Sequence, residues 1–259
     1  MRCIYLTPVL VFWGTVWYNS VYLYAHGGEA TEISEFADIF RQLDWSVLTD
    51  MLLRVIPILL CLTVHELCHG LAALWLGDTT AKEQGRLSLN PLRHVDIMGA
   101  LMMMFFRFGW AKPVPVNMWR FKNPKTGMAI TALAGPASNV LLALFAFILY
   151  GFLYVPLSRS SVGWVILTMT ASLAGLSLSL GIFNLIPIPP LDGSKILFAL
   201  IPNETYYKLM RYERYGMIAL LILVATGLLS APLGRAVTWV YSLLEPTVYW
   251  GLNLYNLIF

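Results

Sequence analysis

Six stretches of this chain are apolar enough to enter a bilayer, and that property decides most of what it can fold into. About 20 apolar residues cross the hydrocarbon core. Residues 3–24, 51–76, 128–155, 162–186, 215–231 and 236–258 meet that length or come near it. Backbone groups in lipid must be satisfied internally, so such stretches are expected to be helices. The sequence predicts an all-α membrane protein of about six transmembrane helices. Of its 259 residues, 58% are hydrophobic and 12% charged, whereas soluble domains carry about 25% charged residues.

The first stretch, from Cys3 to Tyr24, reads as a retained membrane helix. A signal peptide would show a stronger basic start than Arg2 and a clear small-residue cleavage site. Arg54 lies near the start of the second span, where its long side chain can snorkel to the interface. An acidic linker (Glu29, Glu32, Glu35, Asp38, Asp44) follows the first span.

Basic residues orient the bundle. Lys82, Arg86, Arg93, Arg107, Lys112, Arg120, Lys122 and Lys125 lie in 77–127. Lys195, Lys208, Arg211 and Arg214 lie in 191–214, and Arg2 precedes the first span. Six spans place all of these on one side, which the positive-inside rule makes cytoplasmic. The expectation is a multi-pass protein of the cell inner membrane with these basic loops in the cytoplasm. The formal net charge of +3 is small and spread through loops, so no nucleic-acid partner is expected.

Between the second and third spans, 97–118 is apolar without being a clean span, and Pro113 and Pro115 interrupt any helix there. It reads as a small re-entrant or β-like insertion, covered by protein or lining a wet cavity. No repeat or long linker divides the chain, so residues 1–259 are expected to form one membrane-embedded domain. The three cysteines (Cys3, Cys61, Cys68) lie in apolar segments and read as free thiols.

The chemistry concentrates in His65-Glu66-Leu67-Cys68-His69, inside the second span. Histidines four apart share one helix face and can reach one zinc, while the glutamate between them can act as base. Three ionisable groups at bilayer depth are costly, which argues for function. Cys68 lies about 100° around the helix from His69 and reads as a packing residue. His94 reads as a loop histidine.

Catalytic zinc sites usually take three protein ligands. Asp192, in Asn184-Leu185-Ile186-Pro187-Ile188-Pro189-Pro190-Leu191-Asp192-Gly193, is the strongest third candidate. The prolines break the helix, and Gly193 lets the backbone turn tightly. Spacing alone leaves a metal ligand and an ordinary cap or interfacial turn equally open.

These segments resemble the site-2 protease family of intramembrane zinc metalloproteases, and most of all its short, standalone members. The resemblance runs from His65 to His69 through Gly85-Arg86-Leu87-Ser88-Leu89-Asn90-Pro91, and through Gly109-Trp110-Ala111-Lys112-Pro113-Val114-Pro115-Val116-Asn117. It continues in Ala134-Gly135-Pro136-Ala137-Ser138-Asn139 and in Asn184 to Gly193, covering about residues 60–195. It implies that His65, His69 and Asp192 bind Zn2+ and that Glu66 is the catalytic base. Cys68 departs from the glycine or alanine that members often carry, which leaves the ligand pattern intact. A transmembrane protein substrate, surrounded by membrane lipids, is the implied partner. Asn139 and Asn184 stand in matching motifs. They are expected either to bind substrate or to make a helix–helix hydrogen bond.

The implied reaction is metal-assisted peptide hydrolysis, with the 97–118 insertion available to pair with an unwound substrate. The 156–161 connection is too short for the PDZ domain that some members carry. Substrate selection therefore rests with the membrane domain or with a separate regulatory partner. A pseudoprotease would lack a ligand or the base, and a metal transporter would spread polar residues along several spans.

Overall fold

The computed structural model describes residues 4–5, 45–96, 112–202, 204–206 and 213–259. The acidic linker, Cys3 and residues 97–111 of the expected insertion lie outside the described residues, as does nearly all of the expected first span. Ile4–Tyr5 (β1) pair antiparallel with Pro115–Val116 (β2), with Ile4 opposite Val116. These two residues are thus extended, not the start of a helix.

Helix α1 runs from Trp45 to Trp75, and the short α2 from Thr80 to Glu83. Single 3-10 turns follow at Pro91–Arg93 and Met118–Arg120, on either side of the undescribed stretch. Helix α3 (Pro124–Leu157) starts where Asn123 accepts the Thr126 amide hydrogen and Pro124 supplies a preset φ. Helix α4 (Ser161–Asn184) starts where the Ser160 hydroxyl accepts the Gly163 amide at 3.0 Å. It ends ahead of Pro187, Pro189 and Pro190, which offer no amide hydrogens. The chain re-enters helix at α5 (Asp192–Phe198). It continues through α6 (Glu213–Ala225), α7 (Ser230–Leu244) and α8 (Val248–Ile258).

Among the described residues, three helical segments are individually long and apolar enough to cross a membrane: Val55–Trp75, Pro124–Leu157 and Ser161–Asn184. They match the second, third and fourth expected spans. The fifth and sixth differ from expectation. Tyr215–Ala225 and Ser230–Ile258 reach the required length and hydropathy only together, and they are bent by 86° at the break. Gly227, at φ +71°, makes the turn between them.

Helix α3 is the central element and packs against α1, α4, α5 and α8. At 34 residues it is about 50 Å long, more than a bilayer core requires. Cys61, Leu62, Ala146, Phe147, Ala174 and Leu180 form a core between α1, α3 and α4. The distribution of polarity is the reverse of a soluble protein. Leu141, Phe145, Val162 and Trp164 face outward, while Thr131, Asn139, Ser177 and Asn184 are buried. An apolar exterior around a polar interior suits lipid as solvent.

Candidate metal centre

The α1 helix places His65 and His69 one turn apart on the face turned toward α3 and α5, and both are 1% exposed or less. Their rings meet edge to face with centroids 4.5 Å apart, and the two Nε2 atoms are 3.0 Å apart. Each ring is held from behind. His69 Nδ1 lies 2.7 Å from the Thr131 carbonyl on α3. A carbonyl only accepts, so Nδ1 carries the proton and the Nε2 lone pair faces the centre. His65 Nδ1 lies 3.2 Å from the Asn139 amide, also on α3. Half a turn of that amide would present Oδ1 instead, an atom without a hydrogen-bond partner among the described residues. In that orientation Oδ1 would accept from Nδ1–H, and His65 Nε2 would be left with its lone pair as well.

Asp192 reaches the same point from the first turn of α5. Its Oδ2 lies 3.2 Å from Nε2 of each histidine. The carboxylate is fully buried. Gly193 works differently from the expected tight turn. A β-carbon there would overlap the Leu185 carbonyl, and its φ is not in the left-handed region. Its smallness lets the start of α5 press against the end of α4, and that close approach delivers Asp192.

The three atoms form a nearly equilateral triangle. With both Nε2 atoms unprotonated, three lone pairs would meet and repel unless a cation stood among them. A tetrahedral zinc with bonds of about 2.0–2.1 Å separates its ligands by about 3.3 Å, close to this spacing. Two imidazoles and a carboxylate suit Zn2+ in donor type. Gly135 makes room for them: a β-carbon there would overlap His69 Cε1 and Nε2 and stand 2.7 Å from His65 Cε1.

Glu66, next to His65, points around the helix toward the loop side. It is 1% exposed, and its Oε2 accepts the Val114 amide hydrogen at 2.9 Å. Its Oε1 has no hydrogen-bond partner among the described residues. Pro113 and Pro115 have no amide hydrogen, so Val114 carries the single main-chain donor of those three residues. That donor is committed to Glu66.

The family model of peptidase family M50 matches residues 54–230, a range that contains all four of these residues. The chain belongs to peptidase family M50. Over 196 residues it is 40% identical to "Putative zinc metalloprotease YwhC" of Bacillus subtilis (strain 168), covering 71% of this chain and 83% of that protein. It is 29% identical over 191 residues to "Putative zinc metalloprotease Rip2" of Mycobacterium tuberculosis (strain ATCC 25618 / H37Rv), covering 71% of each chain. A protein of the same name from Mycolicibacterium smegmatis is 29% identical over 225 residues, 84% of this chain and 82% of that one. No solved structure matches the chain. This M50 chain is thus a zinc metalloprotease, a hydrolase of the membrane, and its buried His65, His69 and Asp192 could hold a metal ion.

The other residues singled out from the M50 sequence have different places. Asn139 bridges three helices: its amide meets His65 on α1, and its carbonyl accepts from Ser177 Oγ on α4 at 2.8 Å. Asn184 donates to the Leu180 carbonyl of its own helix at 2.9 Å, and its Oδ1 has no hydrogen-bond partner among the described residues. His94 lies in a loop, as expected, but is buried, with Nε2 2.8 Å from the Ser88 carbonyl. Cys61 and Cys68 are free thiols. Sequence reasoning did not single out Thr131, Gly135 or Val114. Only the Pro-Val-Pro run carried a readable signal, a lone donor between two prolines.

Proposed function

We propose that the chain is an intramembrane zinc metalloprotease that hydrolyses peptide bonds in or near the transmembrane helices of membrane-protein substrates. The observation that carries this reading is the meeting of His65 Nε2, His69 Nε2 and Asp192 Oδ2 within 3.2 Å of one another, inside a bundle with an apolar exterior. In this reading these three residues hold the zinc and Glu66 is the catalytic base. Zinc, when bound, supplies a Lewis acid that polarises the scissile carbonyl and makes a water acidic enough to lose its proton near neutral pH.

The protein's own residues supply the rest. Glu66 Oε1, without a hydrogen-bond partner, takes the proton of the attacking water and passes it to the leaving nitrogen. The Val114 amide holds Oε2 and so fixes how the carboxylate faces the reacting atoms. Asn139 serves the His65 ring, and Asn184 Oδ1 is left to bind substrate.

A transmembrane substrate has its amides already bonded and must unwind before attack. The 97–118 insertion, which reaches Glu66 through Val114, is available to pair with the unwound strand. We place the chain as a multi-pass protein of the inner membrane, with 97–118 re-entrant and the active site open to the cytoplasm. The basic residues of 77–127 and 191–214 support that orientation. Lipids surround the bundle, and a separate regulatory partner can select substrates.

The test is E66Q in the purified, zinc-loaded chain, assayed on a synthetic transmembrane substrate in proteoliposomes. Zinc content should stay at one per chain while cleavage disappears. Cleavage that persists in E66Q refutes the assigned base.

A further inference from the structure

Arg86 is buried, 8% exposed, and among the described residues it hydrogen-bonds to no carboxylate. Its guanidinium instead gathers main-chain carbonyls. Nη1 donates to the Arg93 carbonyl. Nη2 donates to the Lys112 carbonyl at 2.5 Å and to the Pro113 carbonyl at 3.1 Å. Burying a guanidinium is costly unless it gains good hydrogen bonds. Two of its three bonds converge on the two peptide units just before Val114.

The far end of the same segment is also anchored. Asp78, fully buried, accepts the Asn117 amide hydrogen with Oδ2 at 2.6 Å, while its Oδ1 accepts from the Thr80 amide at 3.0 Å. Between the two anchors lie Pro113 and Pro115, whose rings fix φ, and Lys112 and Val114, each held extended by the proline that follows. The segment is therefore a stiff strut clamped at both ends. Its one inward donor, Val114 N–H, ends on Glu66 Oε2.

We propose that Arg86 is a positioning residue for the hydrolytic step. Its planar fork sets the 112–114 strut, and through the Val114 amide it fixes the orientation of the Glu66 carboxylate. The inference rests on Glu66 being the base. A lysine at 86 keeps the charge but offers a compact ammonium in place of the fork that serves three carbonyls. Charge alone does not hold the strut.

The experiment compares full-length wild type, R86K, V114P, R86K/V114P and E66Q, purified in detergent with zinc and assayed on a synthetic transmembrane substrate. R86K should lower kcat by about 10- to 100-fold, the cost of a base misplaced by an ångström or less. KM should stay within about twofold, since substrate binding is not what Arg86 sets. Zinc should remain at one per chain, because the hydrogen bonds of Arg86 run to the strut and to Arg93 and not to His65, His69 or Asp192. V114P removes the donor, so adding R86K to it should cost nothing further in kcat. Hydrogen exchange read by mass spectrometry should speed up in R86K over 112–117 but not over 60–70, and this readout stands even if V114P loses its fold. An R86K kcat within twofold of wild type, losses that multiply in the double variant, or unchanged exchange over 112–117 would each overturn the proposal. E66Q separates the two levels: activity in E66Q removes the base assignment itself. An inactive E66Q beside a normal R86K removes only the role of Arg86.

Discussion

Gly135 on α3 lies so close to His69 on α1 that a β-carbon would overlap Cε1 and Nε2 of the ring. The site thus depends on a missing side chain as much as on those present. G135A should push both imidazoles out of register with Asp192. Zinc per chain should fall well below one and cleavage by about 100-fold or more, although alanine is the better helix former by about 1 kcal/mol. Metal analysis beside circular dichroism checks this: helicity retained with zinc lost is the expected pair of results.

The amide of Asn139 separates two ways of supporting a ligand. N139D keeps an oxygen for His65 Nδ1–H and should retain zinc. N139L fills similar space without an acceptor and should weaken zinc affinity by about 10- to 100-fold, the usual cost of losing a partner behind a metal-bound imidazole. Competition with a chromogenic chelator measures both variants. Equal affinity in wild type and N139L would mean that the His65 contact is incidental.

Removing the metal should cost stability as well as activity. Without a cation, the buried Asp192 carboxylate and two imidazole nitrogens are left crowded within 3.2 Å. A ligand at about 1,000 times its Kd stabilises the fold by about 4 kcal/mol. A chelator should therefore lower the thermal midpoint as it abolishes cleavage, and added Zn2+ should restore both. D192A should remove zinc and make the midpoint insensitive to the chelator.

His94 gives the loop region a pH dependence of its own. Burial lowers its pKa from the ordinary 6.5, aided by Arg86 and Arg93 and opposed by its bond to the Ser88 carbonyl. The unfolded chain then takes up this proton at a higher pH than the folded chain does. Stability from this group is present above about pH 6.5 and is lost as pH falls below it. H94Q, whose amide can still donate to Ser88, should flatten that part of the profile. Thermal midpoints of wild type and H94Q between pH 5 and 8 test it: the gap between them should change in the acid range and stay constant above pH 7.

Much of the centre was legible because its first half is local. His65 and His69 share a face by helical period alone, and the depth of their span argued that such costly groups have a purpose. The second, third and fourth spans were equally legible, since 20 apolar residues in a row leave the backbone no choice but helix. The last two spans were less so. Their hydropathy is like that of a crossing helix, but the 86° bend at Gly227 depends on how α6, α7 and α8 settle on the rest of the bundle.

Local pattern therefore determined the membrane class, the helices that carry the chemistry, and the pairing of the two imidazoles. All of these follow from periodicity and transfer free energy acting over a turn or a span. The meeting of Asp192 with the two imidazoles, the partners behind each ring and the hold on Glu66 were decided only in three dimensions. Asp192, Thr131, Asn139 and Val114 are distant in sequence from the partners they meet, and spacing says nothing about which carbonyl or amide a packed helix will present. The Pro-Val-Pro run announced one lone donor, but only close packing of the strut against α1 named its acceptor.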